Sequence, residues 1–235
     1  MTAEPAARHL ARWELEGVGG AVVVVDVIRA FTTAAYAFSA GASEIYLVDS
    51  VEAALEFKRA HPGTLAMGEN HGLRPDGFDF PNSPAMVARA DLAGRTMVQR
   101  TSAGTRGVVA AAAADRLWAA SLACASATAR AVEAAGLGEP TYVITGRFED
   151  VPERPAADDE LTAVYIERAR CGLPLDAEAT AAALVATEEA ARTLALGPDH
   201  CDPHDIVLAA TVDAFTFAME VERTDRGLRL VAVDT

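Results

Sequence analysis

Four short segments of this chain carry side chains that could do chemistry together. The first is Asp26 to Thr33, DVIRAFTT. A carboxylate at the end of an apolar strand can hold a hard metal ion or orient water. Arg29 could reach an anion at the same rim, and Thr32 and Thr33 add hydroxyls near a helix start, where phosphate is favoured. The same residues could equally be a helix-capping Asp and two packing threonines. The second segment, Gly68 to Pro84 (GENHGLRPDGFDFPNSP), holds Glu69, His71, Arg74, Asp76, Asp79 and Asn82. That mixture can bind metal and orient a polar substrate, or only build turns. The third, Arg100 to Gly107 (RTSAGTRG), offers hydroxyls, Gly104 and turn amides to an anion. The fourth, Gly146–Arg147, joins a backbone turn to a guanidinium able to clamp a phosphate. Downstream, Asp158, Asp159 and Glu160 could complete a Mg²⁺ shell or simply favour a helix start.

The elements expected around these segments bring them to one rim. Residues 21–27 (AVVVVDV) read as a strand buried on both faces. An alanine-rich helix follows over 29–40 and Gly41 closes it. Strands are expected over 44–48, 64–67, 95–100, 116–120 and 140–145. Helices are expected after Ser50, near Gly104 and from Ser126. This alternation implies a three-layer α/β/α sandwich with a mostly parallel or mixed central sheet, whose ligands bind beyond the carboxyl ends of the strands. Residues 148–157 read as an acidic, proline-bearing connector, 158–171 and 177–196 as helices, and 214–222 with 228–233 as a closing hairpin. One domain over 1–235 is expected, the alternative being two packed halves, 20–147 and 148–235, with a site between them.

Composition bounds the partners. The chain has 235 residues and a formal net charge of −14, which disfavours nucleic acid and anionic lipid. The excess is uneven: residues 1–147 hold 15 acidic and 13 basic residues, against 19 and 7 in 148–235. A small anionic substrate is therefore compatible with the nearly balanced first part. No apolar stretch approaches the ~18 residues of a membrane span, and no signal-peptide run is present. Cys124, Cys171 and Cys201 form no CxxC pair, so reduced thiols in a cytoplasmic protein are expected. In HCDPHD, His200 to Asp205, Pro203 interrupts the His spacing, so a loop leading into a helix is the simpler reading than a zinc site. The P-loop spacing and the GxGxxG fingerprint are both absent.

Taken together, DVIRAFTT, GENHGLRPDGFDFPNSP, TSAGTRG and ITGR, in this order and spacing, resemble the 2-phosphosulfolactate phosphatase family over about residues 20–220. The pattern GE-x-x-GL-x-P-x-GFD-x-x-NSP is the most specific block. The resemblance implies an α/β fold and a Mg²⁺-dependent phosphatase that converts 2-phosphosulfolactate to sulfolactate and phosphate in coenzyme M synthesis. Phe31 and Ala103 depart from the family's DVLRATTT and TTNGT, and Asn70-His71 stands where the family has an arginine-asparagine pair.

On this reading Asp26, Arg29, Glu69 and Arg147 are the catalytic set, and Asp26, Glu69 and Asp159 hold Mg²⁺. Substrate contacts are assigned to Thr32, Thr33, Arg74, Asn82, Ser83, Thr101, Ser102, Gly104, Thr105, Arg106 and Gly146. Direct attack by water and an aspartyl-phosphate both stay open, although the absent DxDxT signature weighs against the covalent route. Two other functions remain: a phosphatase for a non-sulfonated phospho-hydroxy acid, and a non-catalytic anion-binding protein on the same scaffold. A homodimer is the default assembly.

Overall fold

The computed structural model describes residues 7–151 and 155–235. The connector expected over 148–157 therefore lies partly outside the described residues. Strands β1 (Arg8–Leu10) and β2 (Ala21–Val25) lead into helix α1 (Ala30–Ser39), then β3 (Glu44–Val48) and α2 (Val51–Ala60). Next come β4 (Leu65–Gly68), β5 (Phe80–Pro81), α3 (Pro84–Ala88), β6 (Thr96–Arg100) and α4 (Gly104–Ala110). After β7 (Arg116–Ala120), α5 (Ala125–Ala134) and β8 (Thr141–Ile144), four helices follow: α6 (Ala157–Arg170), α7 (Ala177–Val185), α8 (Glu188–Leu194) and α9 (His204–Ala209). The hairpin β9 (Phe217–Thr224) and β10 (Gly227–Asp234) ends the chain. No helix among the described residues is long and apolar enough to cross a membrane.

The strands form one mixed sheet in the order β1-β8-β2-β7-β9-β10-β3-β6-β4-β5. β1, β8, β2 and β7 are parallel to one another, as are β3, β6, β4 and β5. The terminal hairpin joins these blocks through antiparallel pairs β7–β9 and β10–β3. The last strands of the chain thus sit in the middle of the sheet. Five strand steps separate β2 from β6 in this order. At roughly 20–25° of twist per step, that accumulates to roughly 100–125°. Such a twist turns the second block until its carboxyl ends approach those of the first. The Gln99 amide of β6 donates to Ala30 O at 2.8 Å, tying the two blocks across the concave side.

Alternation along the strands sorts the core into layers. Val22, Val24, Leu117, Met219, Ile45 and Met97 face α1 in the concave cluster. Val23, Val25, Trp118, Tyr142 and Ile144 face the opposite side, against α5 and α6. Tyr46, Ala66 and Val98 meet Ala54 and Phe57 of α2. α1 is buried almost all round, which explains its small side chains: a helix enclosed by a curled sheet has room for alanine. The layers make this an α/β sandwich around a curled mixed sheet. One expected element differs: 177–196 is two helices, because Thr187 donates to Leu184 O at 2.8 Å and caps a new helix by accepting from Ala190 N at 3.2 Å.

Candidate functional site

Asp26 follows β2, where the chain leaves the sheet. Its Oδ1 accepts from Ala30 N at 2.9 Å and so caps α1. Its other oxygen faces α4: a Cβ on Gly104 would stand 2.7 Å from Asp26 Oδ2 and 2.7 Å from the Ala30 Cβ. Only glycine lets α4 start this close. Burial pushes the Asp26 carboxyl up to about 6, and the nearby Glu69 charge adds to this against the pull of the Ala30 and Gly104 amides.

Glu69 reaches the same place from β4. Gly68 has φ +135°, and a Cβ there would lie 1.9 Å from Arg100 O, so the chain can turn toward the site only with glycine. Glu69 Oε2 accepts from Gly72 N at 2.7 Å and Ser102 Oγ at 3.0 Å, and Oε1 accepts from the Ser102 amide. The loops after β4 and β6 are thereby locked to one carboxylate. Arg100 reinforces them by donating to Asn70 Oδ1 at 2.8 Å and to Glu69 O at 2.6 Å.

Asp158 and Asp159 begin α6, yet both are buried. Asp159 accepts from Val27 N at 3.0 Å and Gly146 N at 2.8 Å, which joins the loops after β2 and β8. Asp158 accepts from Ile28 N at 3.2 Å. Burial, then Glu189 and Asp26, lift Asp158 to about 7; burial, then Asp158 and Asp26, lift Asp159 well above the usual carboxylate range. The helix-start reading and the site reading are both realised here, by the same two side chains.

These groups line a cavity of about 570 Å³. Of the residues singled out from sequence, Asp26, Arg29, Glu69, His71, Asn82, Ser102, Gly146, Asp158 and Asp159 line it. Gly104 stands behind Asp26 and shapes the site without lining it.

The others do different work. Thr32 donates to Val27 O at 2.7 Å. Thr101 and Thr105 bond each other's backbone, with the Thr101 amide donating to Thr105 Oγ1 at 2.9 Å and the Thr105 amide to Thr101 Oγ1 at 3.0 Å. Thr33 is fully buried off the cavity, and Arg106 is exposed. Ser83 caps α3 and donates to Asp205 Oδ1 at 2.7 Å. Arg74 uses its amide to donate to His200 Nδ1 at 3.1 Å. Arg147 turns away, pairing with Glu160 and donating to His9 O at 3.3 Å.

Arg29 is in the cavity wall, but one of its nitrogens is committed. Nη1 donates to Asp205 Oδ2 at 2.6 Å and His200 O at 2.9 Å. HCDPHD is the loop and helix start that the proline implied, and it supplies this buried counter-charge.

Sequence reasoning did not select Thr145, Phe148, the α8 residues Glu189, Arg192 and Thr193, or Leu196 just beyond α8, all of which line the cavity. The α8 residues carried no local signal.

Among the described residues the lining holds five carboxylates (Asp26, Glu69, Asp158, Asp159, Glu189) against two guanidiniums (Arg29, Arg192). Such a cavity repels an anion unless a cation enters too. Among the described residues no three His, Cys, Asp or Glu side chains form a ready-made cage. Mg²⁺ needs none: it takes one or two carboxylates and fills its shell with water and substrate phosphate. The all-oxygen donors and crowded, charge-averse carboxylates fit a hard divalent cation. Asn82 Oδ1, buried without a hydrogen-bond partner, adds an acceptor that a water or hydroxyl would satisfy.

Comparison with known proteins agrees with the motif pattern. Residues 9–200 match the family model described as 2-phosphosulpholactate phosphatase. Curated relatives similar to this chain bear the name "Probable 2-phosphosulfolactate phosphatase". That of Bacillus subtilis is 34% identical over 146 residues, covering 62% of this chain and 61% of the relative. That of Thermus thermophilus is 41% identical over 143 residues, covering 60% and 58%. That of Thermoplasma acidophilum is 43% identical over 83 residues, covering 35% and 38%. The chain thus spans between about a third and two thirds of the length of these relatives.

Proposed function

The chain belongs to the 2-phosphosulpholactate phosphatase family, and on that premise we propose that it is a Mg²⁺-dependent phosphatase acting on a small phosphorylated hydroxy acid, with 2-phosphosulfolactate as the substrate. One observation carries this reading: the loops after β2 and β4, together with α6 and α8, bring five carboxylates among the described residues into a single cavity. That arrangement would suit a phosphate dianion only with a hard cation to offset the negative charge.

Asp26 and Glu69 would hold Mg²⁺, the two carboxylates such an ion needs, with Asp159 adding negative charge beside Asp26. When bound, the metal supplies charge neutralisation for a phosphoryl oxygen and polarises the phosphorus centre. The chain's own residues do the rest. Glu69 keeps the Ser102 amide and hydroxyl fixed, so the loop after β6 presents one rigid wall. Asp159 keeps Gly146 against the loop after β2. Rigid loops hold ester and water in register without reorganisation at the moment of reaction. Asp158, whose proton affinity is raised to about 7, takes the proton of the attacking water. Arg29, anchored by Asp205, sets positive charge in the wall beside the equatorial oxygens.

Phosphate release from 2-phosphosulfolactate and from its non-sulfonated counterpart, with Mg²⁺ and with EDTA, tests the proposal. Release that requires Mg²⁺ and favours the sulfonated ester supports it. Release unaffected by EDTA overturns the metal assignment, and equal rates on the two esters overturn the substrate. A soluble, intracellular enzyme with a small anionic substrate is the corresponding cellular reading.

A further inference from the structure

Resting on the phosphatase reading above, we propose that Arg192 of α8 recognises a second anionic group of the substrate, remote from the phosphate, and so sets specificity for acid-bearing phosphate esters. The cavity has a charge gradient. Asp26, Asp158 and Asp159 are 3–6% exposed and gather acidic groups at the deep end. A carboxylate or sulfonate on the substrate cannot sit there beside the phosphate and needs a cation nearer solvent. Among the described residues two guanidiniums line the cavity. The Arg29 side chain is 3% exposed and ion-paired at 2.6 Å with the fully buried Asp205. The Arg192 side chain is 41% exposed, so it stands at the solvent side.

Its partners leave it available. Arg192 Nη2 donates to Glu189 Oε1 at 2.7 Å, and the Glu189 side chain is only 10% exposed. This buried contact fixes one edge of the guanidinium. The other edge meets Glu188 at 3.3 Å, and that side chain is 71% exposed. An exposed pair of that kind is worth little and exchanges readily for a better anion. A planar fork held firmly on one side and paired only with an exposed carboxylate on the other suits the oxygens of a carboxylate or sulfonate.

Two measurements test this, on wild type, Arg192→Gln, Arg192→Lys and the surface control Arg59→Gln. The first compares kcat/KM for 2-phosphosulfolactate with that for a small phosphate ester lacking a second acid group. Arg192→Gln should lower this selectivity ratio about 10- to 100-fold, and Arg192→Lys less, because charge remains but the fork is lost. The ratio should not move in Arg59→Gln. An unchanged ratio in Arg192→Gln overturns the proposal. The second measurement is a thermal-shift titration with 3-sulfolactate and with inorganic phosphate, which needs no turnover. Sulfolactate should stabilise wild type at lower concentration than Arg192→Gln, while phosphate stabilises both alike. Equal responses of the two proteins to sulfolactate, or none from either, overturn the Arg192 assignment. Absent turnover on every ester with sulfolactate still discriminating the two proteins overturns the phosphatase reading alone.

Discussion

Gly104 and Asp26 lie so close that any side chain at residue 104 would press on the carboxylate: a Cβ there would be 2.7 Å from Asp26 Oδ2. The first turn of α4 and the end of β2 come from different parts of the chain, and glycine is what lets them meet. Gly104→Ala should cost about 1–3 kcal/mol in urea unfolding through overpacking. It should also lower phosphate release on the order of 10- to 100-fold by displacing Asp26. Wild-type stability and rate in this variant would show that the contact yields without consequence.

The acidic cavity also governs how stability responds to pH. Asp26 is raised to about 6 and Asp158 to about 7, both by burial first, from an ordinary value of 3.8. Each group binds its proton more tightly in the folded than in the unfolded chain. Their contribution is therefore fully present below about pH 4 and is lost as pH rises through 6 to 7. Metal-free protein should melt at lower temperature at pH 7.5 than at pH 5. Mg²⁺ competes for the same oxygens, so its stabilising shift should be larger at pH 7.5. Differential scanning calorimetry at both values, with EDTA and with Mg²⁺, reads both effects.

Two ion pairs that look alike in a list of contacts should differ sharply in weight. Arg29–Asp205 is buried, at 3% and 0% side-chain exposure, whereas Arg147–Glu160 is open, at 37% and 32%. Asp205→Ala strands a buried guanidinium and also strips partners from Ser83 Oγ and Ala85 N. It should cost about 3–5 kcal/mol. Arg147→Ala should cost about 0–1 kcal/mol. Urea titrations of the two variants decide this; similar costs would contradict the burial argument.

The contrast between these pairs also shows which parts of the site were legible in the sequence. The strand AVVVV ending in Asp26 and the turn chemistry around Gly68 are local signals, and they led to Asp26 and Glu69. The layered fold followed from the alternation of strands and helices. Hydroxyl residues were harder, because Thr32, Thr101 and Thr105 can satisfy either a ligand or their own backbone, and in the fold the backbone takes them. Arg147 pairs with Glu160 and does not line the cavity, a placement its position after β8 did not announce. The Arg29–Asp205 pair spans 176 positions and depends on where the loop before α9 lands, which no local pattern encodes. The same holds for α8: its residues reach the cavity only because Thr187 starts a new helix there.

The most direct test of the account is Asp26→Asn. The substitution keeps the side chain's size and an acceptor for the Ala30 amide, and it removes a charge that burial already disfavours, so the fold should be retained at neutral pH. Mg²⁺-dependent phosphate release from 2-phosphosulfolactate should fall at least about 100-fold, with the circular-dichroism spectrum unchanged. A folded Asp26→Asn protein that releases phosphate at the wild-type rate would contradict the central role given to this carboxylate.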